Sequence, residues 1–201
     1  MSHDNNTQLS ERQGSFLQSL SAYAREHRAA HWSGSFADFL ETIVPRDPLG
    51  VARSSHEYMW DMMRWQGVES NENGSVRYKL FCDELFGVDE PLARLADYFK
   101  AASAGSEVGR RLLLLLGPPS GGKSSMVIML KRGLEEYSHT EAGAVYAIQG
   151  CPVNESPLHL VPHTMRGNFR ETYGVDIHGE ACPYCRARLD DDFSGDFMKM
   201  P

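Results

Sequence analysis

Lys123 lies between the pair Gly121-Gly122 and the hydroxyl of Ser124, closing the octapeptide Gly117-Pro118-Pro119-Ser120-Gly121-Gly122-Lys123-Ser124. The spacing is G-x-x-x-x-G-K-[ST]. Glycines let successive backbone N–H groups turn inward without a Cβ clash, the lysine supplies a cation for β- and γ-phosphate oxygens, and the hydroxyl supplies a ligand for Mg²⁺. These residue types in this order read as a phosphate-binding loop. Backbone amides from Ser120 to Ser124 would cradle the phosphates, Lys123 would be the catalytic cation, and Ser124 would hold the metal. Gly117, Pro118 and Pro119 complete the loop, and Ser125 stands at its margin as a first-turn helix residue. No Asn/Thr-Lys-x-Asp segment for guanine occurs, so ATP is the expected nucleotide.

A second set of candidate ligands is Cys182-Pro183-Tyr184-Cys185. A C-x-x-C turn can place two thiolates on one Zn²⁺, but a closed structural site needs four ligands. Cys151, His159, His163 and His178 are available, yet none of their spacings repeats the pair. Two free thiols in a turn are therefore favoured over zinc at Cys182 and Cys185. His27, His31 and His56 fall near helix faces and read as surface or packing residues, and no Ser/His/Asp set follows from spacing.

Elements must position the loop. Leu112 to Leu116 is a short apolar run, halted by Gly117-Pro118-Pro119, and reads as a buried parallel strand. After Ser124, the residues Val127, Leu130, Leu134 and Tyr137 recur at helical steps and predict one apolar stripe packed on a sheet. The positive end of that helix would face the phosphates. Ala144 to Ile148 reads as the next strand, completing a βαβ unit.

Upstream, a weakly helical pattern runs from Phe16 to about Arg28. Ser35 to Asp38 looks like a capping box ahead of Phe36, Phe39, Leu40 and Ile43, and Pro45 and Pro48 end that helix. A further helix is expected over Ser55 to Gln66, with Tyr58, Met59, Met62 and Trp65 on one side. Gly67 to Gly74 is turn-rich and marks a boundary. Asp89 is the expected cap of a helix with Pro91 in its first turn and Leu92, Leu95, Ala96 and Phe99 as its buried stripe.

Composition is that of an ordinary globular chain: 201 residues, 41% hydrophobic and 23% charged, with net charge -7. No basic block points to nucleic acid. No secretory leader and no apolar stretch of membrane-spanning length occur, so the expectation is a cytoplasmic protein without a membrane partner.

Several separate segments, in order, resemble one bacterial family. Phe36 to Glu41 with Pro45-Arg46-Asp47-Pro48, Leu85-Phe86-Gly87-Val88-Asp89-Glu90-Pro91-Leu92, the Gly121-to-Ser125 loop, Leu130 to Ser138, and Asn154 to Pro162 are similar to the N-terminal part of the PrkA family of serine protein kinases. The resemblance implies an AAA+ P-loop NTPase of α/β class: a parallel-sheet core, truncated here, over residues 75–201, preceded by a small helical N-terminal region over 1–74. It also implies that Leu85 to Asp89 lies near the adenine. The implied activity is phosphoryl transfer from Mg-ATP to serine or threonine of a protein substrate. The alternatives are the AAA+ module of a Lon-like ATP-dependent protease or remodelling protein, and a binding-only nucleotide module. AAA+ modules form rings, so a homo-oligomer of the intact protein is implied as well. A hydrolysing P-loop enzyme also needs an acidic residue at the end of another strand. After Lys123 no apolar run ends in Asp or Glu: Gln149 follows Ile148, and Asp190-Asp191-Asp192 follows a polar stretch. The chain thus reads as an N-terminal piece of a longer protein that does not turn ATP over alone.

Overall fold

The computed structural model describes residues 14–23, 32–70, 76–82, 84–118 and 121–201. Residues 14–23 are helical, and the rest of the helix expected to reach Arg28 lies outside the described residues. Ser35 opens helix α1 (Phe36–Thr42) with a complete capping box, its Oγ accepting from Asp38 N at 3.2 Å while the Asp38 carboxylate accepts from Ser35 N at 2.8 Å. The Ser35 hydroxyl, donating to the Asp38 carboxylate at 2.6 Å, and after it the Ser35 N–H hold Asp38 below the usual carboxylate range. Asp47 then caps the short helix α2 (Pro48–Val51). A second capping box, Ser54 with Glu57, starts α3 (Ser55–Gln66), which has the predicted bounds. The turn-rich segment after it holds a hairpin, β1 (Val68–Ser70) antiparallel to β2 (Val76–Tyr78) with Glu69 opposite Arg77. Helices α4 (Lys79–Cys82), α5 (Asp89–Ser103), α6 (Lys123–Ser138), α7 (Arg166–Tyr173) and α8 (Pro183–Phe193) complete the regular elements, with 3₁₀ turns between them. No helix among the described residues is long and apolar enough to cross a membrane.

Two apolar clusters organise the chain. In one, Met62, Met63, Phe81, Leu92, Leu95, Met126, Met129, Leu130 and Tyr137 bring α3, α4, α5 and α6 together. In the other, Phe36 and Phe39 of α1 pack among Ile148, Leu158, Leu160, Phe169, Val175, Cys185 and Met200 from the last third of the chain. Backbone bonds fasten this second cluster across sequence: Phe36 N donates to Met200 O at 2.8 Å, and Gln149 N to Pro201 O at 2.9 Å. Close packing of α6 on α3 requires Gly133, because a Cβ there would stand 2.8 Å from both Met62 Sδ and Leu80 Cδ1.

The parallel-sheet core does not form among the described residues. Their sheet is the two-stranded hairpin alone, and neither Leu112–Leu116 nor Ala144–Ile148 pairs with a strand. A strand exists only through its neighbours' hydrogen bonds, and among the described residues neither run has a partner strand. Leu112 and Leu116 stay more than 80% exposed, while Leu115 packs on the α3–α6 cluster. The buried stripe of α6 is correspondingly rotated. Met126, Met129 and Gly133 join Leu130 and Tyr137 inside, and Val127, predicted to be buried, is exposed with Ile128. Asp89 is also not the cap of α5. Val88 occupies that position without a side-chain bond, and the Asp89 carboxylate pairs instead with Arg77 at 2.7 Å.

Arg53 joins these parts. Its Nη1 donates to Asp61 at 3.2 Å and to Tyr137 Oη at 3.0 Å, Nη2 to Ala142 O at 3.0 Å, and Nε to Gly50 O at 2.9 Å. The guanidinium also lies 5.1 Å from the centre of the Tyr58 ring. Burial works against its charge, but Tyr137 and Asp61 outweigh that and raise its pKa further. Arg53→Ala should therefore cost about 3 kcal/mol of stability, since it leaves Asp61 and the Gly50 carbonyl without their partner and removes one of the two donors to Ala142 O. Arg53→Lys should recover only part of this, because an ammonium lacks the planar fork. Urea unfolding of the variants measures both.

Candidate functional site

Helix α6 begins without a side-chain cap. Its N-cap residue is Gly122 at φ +75°, a left-handed conformation that costs little only without a Cβ. A Cβ there would also come within 3.0 Å of Leu85 Cδ2. The consequence is chemical. The first N–H groups of a 16-residue helix have no carbonyl of the preceding turn to bond, and they gather at a positive helix end. Lys123, first residue of α6, turns its ammonium back onto the loop: Nζ donates to Gly117 O at 2.8 Å and to Pro118 O. Gly121 N donates to Pro118 O at 3.2 Å. Pro119 and Ser120 lie outside the described residues. Ser124 is exposed and Ser125 half-buried, both in the first turn of α6.

A cavity of about 500 Å³ adjoins the loop, bounded by Gly117, Pro118, Gly121 and Lys123 on one side and by Val88, Pro91 and Arg94 on another, with Leu113 to Leu116 between. It combines one apolar wall with a few convergent polar groups, the usual make-up of a small-molecule site. Val88 and Leu85 bring the Leu85–Asp89 segment against the phosphate loop. The start of α6, the Lys123 ammonium and the backbone of Gly117 and Gly121 thus lie together, with the cavity beside them.

The second apolar cluster holds a group of cysteines that spacing alone did not assemble. Cys182 and Cys185 meet Cys151, all three sulfurs within 4.8 Å of one another. Cys182 caps α8, its Sγ accepting from Cys185 N at 3.4 Å, and Glu155 N donates to Cys151 Sγ at 3.4 Å. The Glu155 carboxylate accepts from Cys182 N at 3.1 Å and pairs with His159 Nδ1. Burial, aided by Cys151 and Cys182, pushes the Cys185 thiol up to about 12. Burial also works to raise Cys151, but the N–H groups of Glu155 and Val153 and the other two thiols bring it below the usual thiol range. His163 lies by Glu180 at 3.2 Å, and neither it nor His178 joins the sulfurs. One signal that joins Cys151 to the pair is in the sequence: Cys151 and Cys182 are each followed by proline.

Comparison with known proteins follows the same segments. The chain is 44% identical over 180 residues to the "ATP-dependent protease PrkA" of Bacillus subtilis (strain 168), covering 89% of this chain and 28% of that protein. It is 33% identical over 97 residues to the "Uncharacterized protein in gldA 5'region" of Geobacillus stearothermophilus, covering 48% of this chain and 97% of that one. The chain therefore spans little more than a quarter of the length of the Bacillus relative. No solved structure matches it. The sequence profile of the PrkA AAA domain matches residues 34–201, taking in α1, the phosphate loop and the cysteine group alike, and the chain belongs to that family.

Proposed function

We propose that this chain is the Mg-ATP-binding module of a PrkA-type machine that acts on proteins. The observation that carries the reading is the uncapped start of α6 at left-handed Gly122, with the Lys123 ammonium folded over the loop beside an open cavity. Backbone N–H groups of Gly121 to Ser124 and the Lys123 ammonium would hold the phosphates, and Ser124 Oγ would take one metal position. Mg²⁺, when bound, neutralises phosphate charge. The Leu85–Asp89 segment, already against the loop, would lie by the base. Assembly into a ring belongs to the same proposal, since AAA domains act as neighbours.

The machine's output has two readings. The name of the Bacillus relative favours ATP-dependent proteolysis, whereas resemblance to the PrkA kinases supports phosphoryl transfer to serine or threonine. Incubating the intact protein with γ-labelled ATP and a fluorescent unfolded protein separates them: label on the protein reports transfer, and fluorescent acid-soluble peptides report cleavage.

Lys123→Ala should weaken ATP binding about 30-fold or more, roughly 2 kcal/mol, because the phosphates lose a fixed cation. Calorimetric titration of the chain with Mg-ATP checks this, and an affinity unchanged by the substitution would remove Lys123 from the site. Gly122→Val should cost about 2 kcal/mol of stability through its left-handed backbone and the contact with Leu85. It should lower nucleotide affinity in parallel, as read by thermal unfolding with and without Mg-ATP.

A further inference from the structure

Cys151, Cys182 and Cys185 share one pocket of the second apolar cluster, far apart in sequence and with all three sulfurs within 4.8 Å of each other. Buried cysteine commonly behaves as a small apolar residue, and such a residue has no need of polar partners. Here two of the sulfurs have them. Backbone N–H groups of Glu155 and Cys185 point at Cys151 and Cys182, each at 3.4 Å. Cys182 Sγ also lies at the N-terminal end of the 11-residue helix α8, where the helix dipole favours an anion.

The spacing of the sulfurs is that of metal ligands. Two thiolates about 2.3 Å from a tetrahedral zinc stand about 3.8 Å apart, and Cys151 Sγ and Cys182 Sγ are 3.7 Å apart. A disulfide would need about 2.05 Å and would leave the third thiol without a role. Glu155 supplies the supporting frame. Its backbone N–H bonds one sulfur, while its carboxylate fixes the backbone of Cys182 and orients the His159 ring. Outer partners of this kind hold ligand groups in place around a metal.

We propose that Cys151, Cys182 and Cys185 bind one zinc ion as thiolates, with the fourth corner of the tetrahedron taken by a nitrogen or oxygen donor. Among the described residues no fourth cysteine, histidine or carboxylate joins the group at the same distance. On binding, the three thiols release three protons to solvent and the site carries a net charge of -1 before the fourth ligand is counted. Cys185 is fully buried and Cys151 nearly so, which makes the site a staple and not an open reaction centre. It would tie the loop after Ile148 to the start of α8, and through the shared cluster to α1.

The full chain, purified without chelator and dialysed against metal-free buffer, should retain about one equivalent of zinc by elemental analysis. After chelation, addition of Co²⁺ should produce the intense near-ultraviolet thiolate–cobalt absorption of a tetrahedral sulfur-rich site. X-ray absorption of the zinc form should show three sulfurs at about 2.3 Å and one lighter donor at about 2.0 Å. Cys151→Ser and Cys182→Ser should each retain less than about a tenth of the zinc, while Cys82→Ser, whose thiol stands outside the group, should retain it all. The cobalt and absorption measurements use the unaltered chain, so they stand whether or not a serine variant folds. An unaltered chain that takes up neither metal, a Cys151–Cys182 disulfide in the protein as isolated, or zinc lost from Cys82→Ser would overturn the proposal.

Discussion

A guanidinium taken largely out of water fixes the end of the phosphate-loop helix opposite the loop. Moving such a cation into the protein costs several kcal/mol unless its donors are satisfied, and Arg53 meets that condition with Gly50, Asp61, Tyr137 and Ala142 together. Those partners belong to the α2–α3 segment, to α3, to the last turn of α6 and to the turn beyond it. The 16 residues of α6 carry this fixed point back to Lys123 as a rigid rod of about 24 Å. The position of the ammonium is thus set at one end by glycine geometry and at the other by an arginine remote from any phosphate.

Packing reinforces that axis. Tyr137 stacks obliquely with Tyr58 and Trp65, their ring centres 5.2 and 5.6 Å away, and Tyr58 Oη donates to Gly143 O at 2.7 Å. Gly133 lets α6 approach α3 without a gap, so Met62 and Met63 are sealed from solvent at the contact. In a close-packed interior, a shift of α6 must displace these groups together. The phosphate loop therefore sits at the free end of an element whose remaining turns are locked.

Features carried by local chemistry were legible in the sequence. The capping box at Ser35 follows from a serine and an acid three residues later, and α3 begins and ends where the pattern puts it. The Gly-Gly-Lys-Ser motif is likewise local, and it falls at the start of α6. What depends on distant partners was not. Leu112 to Leu116 has the composition of a buried strand, yet a strand is a relation between segments, and no neighbour is supplied to it among the described residues. Asp89 was available as a cap but found a stronger partner in Arg77. The rotation of α6 that exposes Val127 reflects which face meets α3, and periodicity alone cannot state that when methionines and glycine occupy the alternative face. Cys151 was available as a ligand, but at 31 positions from Cys182 no spacing rule joined it to the pair, although both precede proline.

The inward turn of Lys123 changes what binding means at this loop. In the free protein the ammonium already has two carbonyl partners, on Gly117 and Pro118. Entry of an anion is thus an exchange of ligands around one cation, and the affinity is the difference between two sets of contacts. A ligand with a single weak acceptor gains little by displacing two well-placed carbonyls. A polyphosphate gains more, because it offers several charged oxygens at once and also meets the helix amides. Under the proposed function, the loop would discriminate by charge density before any part of the base is read.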